Sequence, residues 1–81
     1  MKPRTLPYGD KNICGANIER IRKELGLKQL EVVAQLQVLG IDINPSSYSK
    51  LEGQRRLASD IEVQAIARIL NVPIEVLFEE A

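Results

Sequence analysis

Between Asn44 and Arg56 the chain reads Asn-Pro-Ser-Ser-Tyr-Ser-Lys-Leu-Glu-Gly-Gln-Arg-Arg. One carboxamide (Asn44), three hydroxyls (Ser46, Ser47, Ser49) and three cations (Lys50, Arg55, Arg56) crowd into this stretch. Such a mixture suits nucleic-acid recognition: hydroxyls and amides reach base edges, while cations neutralise phosphate. A plainer reading stands beside it. Asn and Ser are favoured at helix starts by capping alone, and a cation near a helix end complements the helix dipole. Serine both donates and accepts, so it specifies no particular base.

The elements that must hold these residues follow from the local pattern. Asn44 followed by Pro45 signals a helix start, since Asn accepts free amides and Pro leaves no amide unpaired. Tyr48 and Leu51 then mark the apolar side of a short helix from about 45 to 53. An earlier helix is predicted from about Gln29 to Leu39, with Leu30, Val32, Val33, Leu36 and Leu39 inward. Gly40 ends it. Ile41 and Ile43 alternate with Asp42 and Asn44 as a bridge with two apolar anchors. Two helices joined in this way, the second opening on hydroxyls and followed by two arginines, meet the needs of a helix-turn-helix DNA reader.

The flanking segments complete an all-α, five-helix domain over residues 12–81. Asn12 is placed to cap a first helix with Ile13, Ile18, Ile21 and Leu25 inward, and Glu19, Arg20, Arg22, Lys23 and Glu24 on its other faces. Gly26 stops that helix as a left-handed residue, and Leu27 folds back onto its last turn. Ser59 and Glu62 have the spacing of a capping box, in which each side chain satisfies the other's backbone amide. Ile61, Ala65, Ile66, Ile69 and Leu70 continue that fourth helix, Asn71 caps its end, and Pro73 opens a fifth with Ile74, Val76, Leu77 and Phe78. Residues 1–11, with Pro3 and Pro7 and little periodicity, read as a flexible arm whose Lys2 and Arg4 could wrap a duplex.

The neutral total charge conceals a polarity. Through Arg56 there are ten basic and six acidic residues; beyond it there is one base against five acids. The first part is thus +4 and the remainder −4, so one end of the molecule is suited to phosphate. No apolar run nears the roughly 18 residues of a membrane span, and Lys2 and Arg4 precede no apolar stretch of a signal peptide. A cytoplasmic protein is the expectation. Cys14 is the only cysteine; it reads as a small helix-start or core residue, and no metal or other cofactor is expected. With no His, no glycine-rich phosphate loop and no paired carboxylates, nothing suggests an enzyme.

The run Asn17-Ile-Glu-Arg-Ile-Arg-Lys-Glu-Leu-Gly-Leu-Lys-Gln29 resembles the opening of the Cro/cI-type (xenobiotic-response-element) helix-turn-helix family, the lambda-repressor-like fold. Ser49-Lys50-Leu51-Glu52 is similar to that family's Ser-Arg/Lys-Ile-Glu segment. Ile66 through Val72, and Ile74 through Phe78, are similar to its last two helices. The resemblance covers roughly residues 12–79. Four departures stand out. The connection between the motif helices is about five residues longer than usual. Lys28 replaces the usual Ser or Thr cap, and Val33 stands where a small residue is usual, with Ala34 beside it. Gly53 falls one place early in an Ile-Glu-x-Gly pattern.

The resemblance implies a small prokaryotic or phage regulator, most simply a repressor, that binds double-stranded DNA. The implied interface is Lys28, Gln29, Asn44, Ser46, Ser47, Ser49, Lys50, Arg55 and Arg56. Lys28 opposes the dipole at its helix start, at a cost of about 0.3–1 kcal/mol that a phosphate would reverse. The plainer reading of Lys28 is a tolerated surface lysine. Ile74 through Phe78 exceed what one short helix needs for its own core, so a homodimer on a palindromic site is expected. The alternative is a protein-interaction module, such as an antitoxin-like partner-binding domain.

Overall fold

The computed structural model describes residues 6–80. Four α-helices follow in order: α1 (Gly15–Glu24), α2 (Gln29–Val38), α3 (Pro45–Glu52) and α4 (Asp60–Leu70). The fifth element is a single 3-10 turn, Ile74–Phe78, rather than an α-helix. There is no strand among the described residues. α2 packs against α3 and α4, and α1 packs against α3 and the terminal turn.

One device ends all four helices. A residue with positive φ follows each: Gly26 (φ 73°), Gly40 (φ 87°), Gln54 (φ 57°) and Asn71 (φ 58°). In every case the next amide reaches back to a carbonyl of the last turn: Leu27 to Arg22, Ile41 to Leu36, Arg55 to Lys50 and Val72 to Ala67. This is the Schellman closure. Gln54 explains the early glycine: Gly53 has φ −79°, and the left-handed position falls on Gln54. Its side chain compensates, accepting from Ala16 N–H (3.1 Å) and donating to the Gly9 carbonyl (3.2 Å).

Helix starts follow local chemistry too. Asn44 Oδ1 accepts from Ser47 N–H at 2.7 Å, and Ser59 and Glu62 form the reciprocal capping box. Asn12 Oδ1 accepts from Gly15 N–H at 2.9 Å, so it caps α1 from two residues before the Cys14 N-cap. The long connection is also held. Gln37 Nε2 donates to the Ile43 carbonyl at 3.0 Å, Ile43 is buried and Ile41 partly so.

Burial departs from the predicted stripes at several points. Ile18, Ile21, Val32, Val33, Leu36, Tyr48, Leu51, Ala65, Ile66, Leu70 and Leu77 are buried, but Ile13, Leu25, Leu30, Leu39 and Ile61 are exposed. Ile13 precedes α1 and Leu25 is its C-cap, so neither is fixed by the helical period. α2 carries apolar residues on more than one face, Leu30 and Val38 lying outside the buried Val32, Val33 and Leu36, so its periodicity does not say which stripe faces inward. Arg22 and Glu19, expected outside, are buried.

Part of the segment before α1 is hydrogen-bonded to the end of α3. Gly9 N–H donates to Gly53 O (2.8 Å), Lys11 N–H to Gln54 O (2.9 Å), and Arg55 Nη2 to Pro7 O (2.7 Å). The Tyr8 hydroxyl donates to Glu19. Backbone pairing of Gly9 and Lys11 with the end of α3 is a contact that proline content and weak periodicity do not announce. Lys2 and Arg4 lie outside the described residues.

Candidate nucleic-acid interface

The centre of the helix-turn-helix half is a buried ion pair. Arg22 projects from α1 on the stripe of Cys14, Ile18 and Ile21, and Glu52 lies one turn beyond Tyr48 on α3. The pair is bidentate: Arg22 Nε to Glu52 Oε2 at 2.7 Å and Nη2 to Oε1 at 3.0 Å. Arg22 Nη1 also donates to the Leu27 carbonyl at 2.8 Å. Gln29 Nε2 completes the set, donating to Glu52 Oε1 at 3.0 Å. One carboxylate thereby joins α1, the start of α2 and the end of α3. Burial works against the guanidinium charge, but the hydrogen bond and field of Glu52 outweigh it and raise its pKa. Tyr48 lies alongside, its buried hydroxyl next to the Glu52 carboxylate but without a well-formed hydrogen bond. Burial first, then the Glu52 charge, push that phenol far above its ordinary range.

Sequence reasoning missed this pair. A signal existed: Arg22 is four residues after Ile18, and Glu52 four after Tyr48, so opposite charges occupy core positions of two helices that pack together.

Around this centre the nine implied interface residues separate into two groups. Lys28, Ser46, Ser47, Ser49 and Lys50 have no side-chain partner among the described residues; all are exposed except the half-buried Ser47. The remainder are at least partly engaged. Asn44 caps α3 and Gln29 holds Glu52. Arg55 makes one bond, to Pro7 O, and is otherwise exposed. Arg56 is spent internally. Its Nε donates to Ser47 O (2.9 Å), and its two terminal nitrogens pair with Glu62 at 3.0 and 2.8 Å. That arrangement ties the start of α3 to the start of α4 and occupies four of the guanidinium's five N–H donors. The Arg56 hydrogen bond in turn holds the Glu62 carboxyl below its ordinary range, against the effect of burial.

Lys28 is the N-cap of α2, with extended backbone. Glu31 Oε1 accepts from Lys28 N–H at 2.9 Å, which is half of a capping box. The lysine side chain carries no acceptor, so it cannot return the bond.

These pairings redraw the charge map. Arg20 pairs with Glu24, Arg22 with Glu52, Lys23 with Glu19 and Arg56 with Glu62. Among the described residues through Arg56, the cations without an ion-pair partner are Lys11, Lys28, Lys50 and Arg55. Three of these, Lys28, Lys50 and Arg55, stand at the ends of the motif helices.

A helix pair of this order, closed by a charge-stitched core and carrying free cations and hydroxyls on α2 and α3, defines the helix-turn-helix class. Residues 18–77 match the helix-turn-helix family, and the chain belongs to it, as a Cro/cI-type, DNA-binding transcription regulator. No curated protein and no solved structure gave a significant match. No helix among the described residues is long and apolar enough to cross a membrane.

Proposed function

We propose that the chain binds specific double-stranded DNA with α3 in the major groove, and that it represses by occupying its site. The observation that carries this is the group of unpaired cations Lys28, Lys50 and Arg55 beside the free hydroxyls Ser46 and Ser49. Arg56 and Gln29 act indirectly: Arg56 fixes the approach of α3 to α4, and Gln29 ties α2 to Glu52. Affinity is chiefly phosphate-borne, and serine readout is undemanding.

Selection of bound sites from random duplexes tests this reading. The expected product is a palindrome with half-sites about one helical turn, roughly 10 bp, apart. Three phosphate contacts give a salt slope near −2.7 per protomer, at about 0.9 each. Lys28→Ala should flatten it by about 0.9. No enrichment, or binding indifferent to salt, overturns the proposal.

A second reading has an observation of its own. Val38, Leu39 and Ile61 are exposed around the end of α2 and the outer side of α4, with Arg68 between them. An apolar strip with one unpaired cation fits a protein partner, as an antitoxin-like module requires. A protein co-purifying at one-to-one stoichiometry, released by Val38→Asp, favours that reading.

A further inference from the structure

We infer that residues 7–11 form a strap that pre-positions Arg55 for a DNA phosphate, with Gly9 as the positioning residue. The inference rests on the DNA-binding reading and sets Arg55 apart from the other two cations named there. Lys28 and Lys50 have no side-chain partner among the described residues, so each must be ordered when it meets a phosphate. Of the three, Arg55 alone is held beforehand: its Nη2 donates to the Pro7 carbonyl at 2.7 Å. A guanidinium carries five N–H donors, so four stay free for phosphate oxygens.

The seat of the strap does not depend on Arg55. Gly9 N–H donates to Gly53 O at 2.8 Å, and Lys11 N–H to Gln54 O at 2.9 Å. Gln54 Nε2 returns a bond to Gly9 O at 3.2 Å, while its Oε1 accepts from Ala16 N–H in α1 at 3.1 Å. The Tyr8 hydroxyl reaches Glu19 on α1. These bonds seat the segment against α1 and the end of α3, and they deliver the Pro7 carbonyl to Arg55. Two backbones approach closely enough at position 9 to require glycine. A Cβ there would overlap the Gln54 carbonyl oxygen and stand 3.0 Å from its carbon and 3.3 Å from Arg55 Cα. All three obstacles are main chain, so no side chain can turn aside to make room.

The gain is in affinity more than in folding. Arg55 is exposed, and one hydrogen bond at the surface contributes modestly to the folded state. Ordering a long side chain at the moment of binding lowers affinity roughly two- to ten-fold. For Arg55 that ordering is done when the strap seats.

The test uses the full chain and one selected duplex. In the free protein, relaxation of the Arg55 Nε–H signal should show an ordered guanidinium in the wild type and fast motion in Gly9→Ala. Binding is then followed by fluorescence anisotropy across a salt series. Gly9→Ala should weaken it about five-fold with the salt slope unchanged, since no charge is lost. Arg55→Ala should weaken binding and flatten the slope by about 0.9. Adding Gly9→Ala to Arg55→Ala should cost nothing further, whereas a purely structural role would cost the same in both backgrounds. Tyr8→Phe leaves the backbone as it is and should repeat the pattern at about two-fold; it decides by the same comparison if Gly9→Ala fails to fold. Equal losses in both backgrounds, no loss from either variant, or a mobile Arg55 in the free wild type overturns the strap's role while leaving DNA binding in place. A wild type with an ordered Arg55 that binds no duplex overturns the DNA reading instead.

Discussion

Removing the guanidinium of Arg22 should be the most damaging single change in this domain. Glu52 is wholly buried, and two of the three hydrogen bonds to its carboxylate come from Arg22. In Arg22→Met the carboxylate keeps only the neutral Gln29 donor, and Leu27 O loses its 2.8 Å bond. An uncompensated buried charge of this kind costs about 3–5 kcal/mol. A chain of this length has a total stability of roughly 4–12 kcal/mol. The measurement is urea unfolding followed by far-UV circular dichroism. With a slope of about 1 kcal/mol per molar, the midpoint should fall by about 3 M or the variant should be unfolded at the outset. The decisive comparison is Arg22→Met with Glu52→Leu together. Removing both charges leaves no buried ion, so the double variant should lie within about 2 kcal/mol of the wild type. A single variant that loses less than about 1 kcal/mol, or a double variant whose loss equals the sum of the two single losses, refutes the reasoning.

Other changes have effects that the fold decides. Tyr48→Phe should change stability by less than about 1 kcal/mol in the same unfolding assay, because the buried hydroxyl lies by the Glu52 carboxylate without a well-formed hydrogen bond, so its loss removes a desolvation cost and a weak interaction together. Gly15→Ala should destabilise by about 1–3 kcal/mol although alanine favours helices, since its Cβ would stand 2.6 Å from the Glu52 carbonyl oxygen; an unchanged midpoint would show that α1 and α3 can separate freely. The lowered Glu62 pKa makes a stability contribution present above its ordinary value near 4.5 and lost as pH falls through the folded value. Glu62→Gln should therefore flatten the acid side of a stability-versus-pH curve, and an unaltered curve would count against the Arg56–Glu62 pair as its source.

Much of this domain is determined by sequence alone, and the reason is that the determinants are local. Capping by Asn44, Ser59 and Glu62, and the left-handed closures at Gly26, Gly40 and Asn71, each depend on side chains and dihedrals within a few residues. The tertiary structure decided what happens to the charges. Arg56 and Gln29 have the right types and places for a DNA interface, yet Glu62 and Glu52 claim their donors from other elements. Which apolar stripe of α2 turns inward was likewise settled by what α3 and α4 present to it. Gly9 and Lys11 pair with the end of α3, a partner more than 40 positions away. Helix ends answer to near neighbours, and ion pairs and burial answer to residues that only folding brings together.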